Sequence, residues 1–68
     1  MNIEGIKKSF PKGTRVELIN MPDDPQPVPP GTKGVVRLVD DIGTIFVDWE
    51  NGQRLGLVLG VDSFKIIK

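Results

Sequence analysis

Residues 34–57 read GVVRLVDDIGTIFVDWENGQRLGL. Apolar and polar residues alternate on either side of two turn signals, DDIG at 40–43 and ENG at 50–52, so the stretch reads as three consecutive β-strands. The hydrophobic pattern sets the register of the second hairpin. A two-residue Asn51-Gly52 turn would place Trp49 opposite Arg54 and Val47 opposite Gly56, an apolar face against a polar one. A three-residue loop, Glu50-Asn51-Gly52, with Gly52 left-handed as a G1 bulge, places Trp49 opposite Gln53, Val47 opposite Leu55 and Ile45 opposite Leu57. The large apolar side chains then share one face. A slip of one residue would turn every side chain over, so the second register is expected. Its outward side pairs Asp48 with Arg54, which carry opposite charges, and sets the Phe46 ring over the bare Gly56.

The chain has 68 residues, enough for one domain. A chain of this size buries only about 60% of its unfolded surface. It has no cysteine and no histidine, which removes disulfides, thiolate chemistry and the commonest general base and metal ligand. Nine basic residues balance nine acidic ones, and this neutrality counts against nonspecific wrapping of phosphate backbones. Apolar runs are too short to span a bilayer, and MNIEGIKKSF at the N-terminus lacks the apolar core of a signal peptide. A soluble cytoplasmic protein without a membrane role is expected.

In residues 1–11, Ile3, Ile6 and Phe10 have helical spacing, but Gly5 weakens a helix and Pro11 ends one. A tail or short turn with one or two anchoring side chains is expected there, and a barrel domain over 12–68. Pro11-Lys12-Gly13 launches a first strand over 14–19, with Val16 and Leu18 inward. Residues 20–33, NMPDDPQPVPPGTK, form a long loop with five of the six prolines, which cannot sit inside a sheet. The expected role is a stiff surface connection. Pro27-Val28-Pro29-Pro30 also fits a proline-rich ligand motif. Asp23 and Asp24 supply too few oxygens for a cation alone.

In the second strand, Val36 and Leu38 are placed inward and Arg37 outward. Val35 and Val39 break the alternation, so a bulge is expected. Gly43 takes the positive φ of the 40–43 turn, whose type the sequence leaves open. After Leu57, residues 58–62 suit a single 3₁₀ turn, and 63–67 a last strand with Phe64 and Ile66 inward. The expected fold is all-β, a small five-stranded SH3-like barrel with a long Pro-rich first loop. Its core would be Val16, Leu18, Val36, Leu38, Ile45, Val47, Trp49, Leu55, Leu57, Phe64 and Ile66.

Two resemblances follow from these motifs. PKGTRVELI followed by PPGTKGVVRLV resembles the opening of KOW-type and related SH3-like domains, with Gly31, Gly34 and Val36 matching their Gly-x-x-Gly-x-Val entry into the second strand. From Lys12 to Ile67, the segments KGTRVELI, PPGTKGVV, VDDIGTIFVDWENG, LGL and DSFKII are similar to a small bacterial and phage family, domain of unknown function 4314. That resemblance implies the barrel and an association with mobile elements, and it implies no site residues. The loop before Pro30 is richer in proline than the family pattern implies.

Catalysis finds no footing in the sequence. Ser9 and Ser63 have no histidine to activate them, and Asp40 and Asp41 are adjacent, so on a strand end they point apart. No glycine-rich phosphate loop precedes a helix. No catalytic, cofactor-binding or metal-binding residues are assigned. For Trp49, an aromatic recognition wall and core packing are the two readings, and its inward position favours packing. Arg15, Arg37, Arg54 and Lys65 all face outward. Arg37, Phe46 and Arg54 form the candidate contact patch, because an aromatic beside arginines is enriched at interfaces. The expected function is a non-catalytic module for a protein or peptide partner, with a nucleic-acid-binding accessory domain as the alternative.

Overall fold

A computed structural model of the chain describes residues 2–67. Met1 and Lys68, the outer ends of the two segments assigned from the sequence, lie outside the described residues. The elements are α1 (Ile3–Ser9), β1 (Arg15–Asn20), β2 (Lys33–Val39), β3 (Ile45–Trp49), β4 (Gly56–Leu57) and β5 (Ser63–Ile67). The strands make one antiparallel sheet in the order β4-β3-β2-β1-β5.

Both hairpins of the meander use the same loop. In the first, the Asp40 N–H donates to the Thr44 carbonyl (3.0 Å) and the Gly43 N–H to the Asp40 carbonyl (3.2 Å). In the second, the Trp49 N–H donates to Gln53 (3.0 Å) and the Gly52 N–H to Trp49 (3.0 Å). Gly43 and Gly52 have φ of 87° and 92°, the left-handed residue that a G1 bulge needs. A side-chain oxygen braces each loop. Asp40 Oδ1 accepts from the N–H groups of Ile42 and Thr44, and Asn51 Oδ1 from that of Gln53. The resulting register, Ile45 opposite Leu57 and Phe46 opposite Gly56, is the one that the apolar pattern selects.

The β1–β2 pair has a local two-fold. Pro11-Lys12-Gly13-Thr14 leads into β1 and Pro29-Pro30-Gly31-Thr32 into β2, each a turn closed by a threonine N–H on a proline carbonyl. Gly13 donates to Val36 and Val36 to Thr14, while Gly31 donates to Leu18 and Leu18 to Thr32, the same pattern with the strands exchanged. Gly34 lies at the centre, opposite Val16 on one side and Trp49 on the other. A Cβ on Gly34 would stand 2.5 Å from Val47 Cγ1 and 2.8 Å from Trp49 Cε3. Only glycine lets the indole lie against the strand.

The core joins Val16, Leu18, Val36, Ile45, Val47, Trp49 and Leu57, with Leu55 and Phe64 partly buried against it. Two expected members lie elsewhere. Leu38 is 47% exposed because the bulge falls between Val36 and Leu38. Arg37 is the extra residue, so Leu38 pairs with Phe46 on the outward side and Val39 takes the inward place opposite Ile45. Ile66 is 55% exposed. It pairs with Val16, but β5 is an edge strand without a further neighbour.

Three core members come from segments read as surface. Residues 3–9 form a helix rather than a loose turn. Asn2 Oδ1 caps it by accepting from the Gly5 N–H at 3.0 Å, and a Cβ on Gly5 would press on that capping side chain. The helix buries Ile6 and leads to the Phe10 ring, 5.6 Å from that of Phe64. The Pro-rich loop sends Met21 and Val28 inward, Val28 with 0% exposure. The loop is therefore part of the core lid as well as a connection.

The expected barrel closure is absent: among the described residues β4 and β5 pair on one side only, and the sheet keeps two edges. Residues 58–62 make a tight turn, with the Val61 and Asp62 N–H groups both donating to the Val58 carbonyl and Gly60 left-handed at φ 87°. That left-handed residue is incompatible with a 3₁₀ helix.

Candidate functional site on the outer sheet face

The two faces of the sheet are unequal. α1, Met21, Val28 and Leu57 contribute to the core that covers the inner face. The outer face carries the alternate residues of the strands. Glu17 and Phe46 on it are partly buried, and Arg15, Lys33, Val35, Leu38, Asp48 and Lys65 are exposed. Register fixes the neighbours. One row runs Asp48, Val35, Arg15, Ile67 across β3, β2, β1 and β5; the next runs Lys33, Glu17, Lys65; Phe46 lies between Leu38 and Gly56. The Phe46 ring sits 3.6 Å from where a Gly56 Cβ would be, so the aromatic ring covers the glycine.

The predicted patch is brought together, with an acid at its centre. Arg37 Nε lies 3.8 Å from Asp48 Oδ2 and Arg54 Nε 3.9 Å from Asp48 Oδ1. Asp48 thus holds both guanidinium groups beside β3, the strand that carries Phe46. Half-exposed pairs of this kind contribute roughly 0–1 kcal/mol, so their effect is to orient more than to stabilise. Lys65 pairs with Glu17 at 3.8 Å. Arg15 and Lys33 have no carboxylate within ion-pair distance among the described residues.

Sequence reasoning missed Val35, 42% exposed, and Leu38 as members of this face. The signal was present in the unbroken Val35-Val36 pair and in the bulge, which move two apolar side chains outward. Lys33 was also missed, since the strand begins one residue earlier than expected. The face carries five basic residues, Arg15, Lys33, Arg37, Arg54 and Lys65, against Glu17 and Asp48 on the strands and Glu50 at its edge, where the Glu50 N–H donates to the Lys33 carbonyl, a net of +2 on a chain of net zero.

Other candidates are placed differently. Trp49 is 4% exposed, and its indole N–H donates to the Leu55 carbonyl at 3.0 Å, so it is a satisfied core residue and no recognition wall. Val28 is buried in the middle of the Pro27–Pro30 motif, which is not free to be read as a ligand. Asp40 braces its turn, and Asp41 accepts from Lys7 Nζ at 3.0 Å. That hydrogen bond, with the Asp41 charge, raises the Lys7 pKa above its ordinary 10.5. Asp23, Asp24 and Asp62 line an open cleft with Met21, Gly56, Val58 and Val61. No three acidic side chains converge as metal ligands among the described residues. Among the described residues no helix is long and apolar enough to cross a membrane.

Comparison with known proteins gives one finding. Residues 1–67 match the family model described as Domain of unknown function (DUF4314). The match takes in α1, which the sequence resemblance left outside. No curated protein matches the chain.

Proposed function

The chain belongs to this family, and we propose that it is a non-catalytic binding module that docks a protein or peptide partner on the outer face of its sheet. One observation carries the reading: Val35 and Leu38 stand exposed beside Phe46 on a face that no other element covers among the described residues, while the opposite face is filled. Contiguous apolar surface rimmed by polar groups is what an interaction site presents. Arg37 and Arg54, held by Asp48, supply the rim. We read the sheet as an SH3-like architecture left open between β4 and β5, acting in the cytoplasm on a partner encoded by the same bacterial or mobile element.

A nucleic-acid-binding role is the second reading, favoured by the collection of five basic side chains on one face rather than around a barrel. Phosphate contacts would make binding fall steeply with salt, and Arg37→Ala or Arg54→Ala would lower the slope by about one per lost contact. Docking of a protein would instead depend on Phe46, whose loss should cost about 2 kcal/mol of binding with little change in salt response. The test is capture of partners by a tagged chain and by its Leu38→Asp variant, beside an amide NMR titration with short oligonucleotides at low salt. A protein retained by the wild type and lost with Leu38→Asp supports the module. Saturable oligonucleotide shifts confined to Arg15, Arg37, Phe46, Arg54 and Lys65 overturn it.

A further inference from the structure

The cations of the outer face fall into two groups. Arg37, Arg54 and Lys65 already have a carboxylate at 3.8–3.9 Å. Arg15 and Lys33 have none among the described residues, and both border Val35: Arg15 directly across the β1–β2 ladder, Lys33 two residues back on the same strand and face. An exposed valine flanked by these two cations lies next to an exposed leucine that faces Phe46. We propose that the segment docked here is acidic and apolar, its carboxylates meeting Arg15 and Lys33 and its apolar side chains seating on Val35 and Leu38. The inference rests on the reading of the outer face as a docking surface.

Charge complementarity selects the acid. A net of +2 is concentrated on one face of a neutral molecule, and a partner segment of opposite sign is drawn to it and held in register. The apolar pair selects a peptide over a polynucleotide. A phosphate backbone has nothing to place on Val35 and Leu38, and Asp48 repels it from Arg37 and Arg54. A carboxylate-bearing strand with alternating side chains can satisfy both, since alternate residues along an extended chain face one way. A second copy of this chain is the competing occupant, because the cleft formed by Asp23, Asp24, Asp62, Val58 and Val61 is also acidic and apolar.

The experiment uses the full chain, ¹⁵N-labelled, with a capped peptide of alternating glutamate and leucine as probe. Its comparators have serine for leucine, or lysine for glutamate, and a poly-dT oligonucleotide is the fourth ligand. Saturable shifts at Arg15, Lys33, Val35 and Leu38 are expected with the first peptide alone. Arg15→Glu and, separately, Lys33→Glu should each weaken binding roughly tenfold, the equivalent of about 1.4 kcal/mol. Both sites are exposed strand positions, and circular dichroism checks that each variant folds. Equal binding of the serine or lysine peptide overturns the proposal, as does preference for poly-dT. Sedimentation velocity without peptide covers the remaining occupant: concentration-dependent association abolished by Asp23→Lys assigns the face to a second copy and also overturns it. If the glutamate–leucine peptide fails while Leu38→Asp still loses a captured protein, the partner chemistry is wrong and the docking face stands. If both fail, the face itself is misread.

Discussion

Gly34 leaves no space for a side chain. Its neighbours Val47, Trp49 and the Asp48 carbonyl oxygen would all lie within 3.0 Å of a Cβ. Gly34→Ala should therefore cost about 2–3 kcal/mol through forced displacement of the indole, read as a lower midpoint in urea. Gly52→Ala has open space around it and meets only the backbone penalty of a φ of 92°. About 1 kcal/mol is expected, by the same measurement. The two glycines were not equally legible. Gly52 is announced by the apolar pattern on both sides of it, which admits one register. Gly34 matches a short motif, but the reason for it is a packing contact with a residue on another strand. Arg37, Phe46 and Arg54 could be placed outward by alternation alone. That Asp48 gathers the two arginines required the bulge at Arg37 to be located.

At the scale of elements, α1 shows how a local rule was outweighed. Gly5 argues against a seven-residue helix, yet Asn2 caps it, Glu4 sits in the first turn, Lys7 and Lys8 sit in the last, and Ile6 is buried. Packing of one side plus a cap holds a helix too short to persist alone. Asn2→Ala should cost about 1 kcal/mol locally, seen as faster hydrogen exchange in 5–10 with slower change in the strands. The raised Lys7 pKa ties this helix to the first hairpin through Asp41. The folded ammonium holds its proton more tightly than an unfolded one, so the contact is intact below the ordinary 10.5 and is lost as pH climbs through the higher folded value. The Lys7 side-chain resonances should titrate above 10.5, and Asp41→Asn should lower that midpoint. In the Pro-rich loop, the prolines drew the eye from Val28, which no periodicity marks. Val28→Ala should cost about 2 kcal/mol, measured by urea unfolding, because two methyl groups leave a site with no exposure.

For the whole molecule, strand number, sequence order and sheet membership were legible because each strand has its own alternation and punctuation. Closure was not, because β4 has only two paired residues and nothing in a sequence measures the gap between it and β5. This difference matters for function. On a closed barrel the outward cations would point in several directions; on an open sheet they share one surface. The apolar members of that surface were hidden for the same reason as the misplaced Leu38: one bulged residue reverses the side on which all later residues of its strand fall.

The pairing of β1 with β5 joins residues near opposite ends of the described chain, whereas β2, β3 and β4 pair only with sequence neighbours. Time therefore enters the fold unevenly. The meander of 33–57 can assemble through two short loops, but one edge of β1 stays unsatisfied until Ser63–Ile67 has been synthesised and has returned to it. In stopped-flow refolding, Gly43→Ala and Gly52→Ala should chiefly retard the folding limb, because their turns form on the way to the barrier. Phe64→Leu should chiefly hasten unfolding, because β5 docks after it. The reverse assignment of limbs would mean that the distant ends meet first.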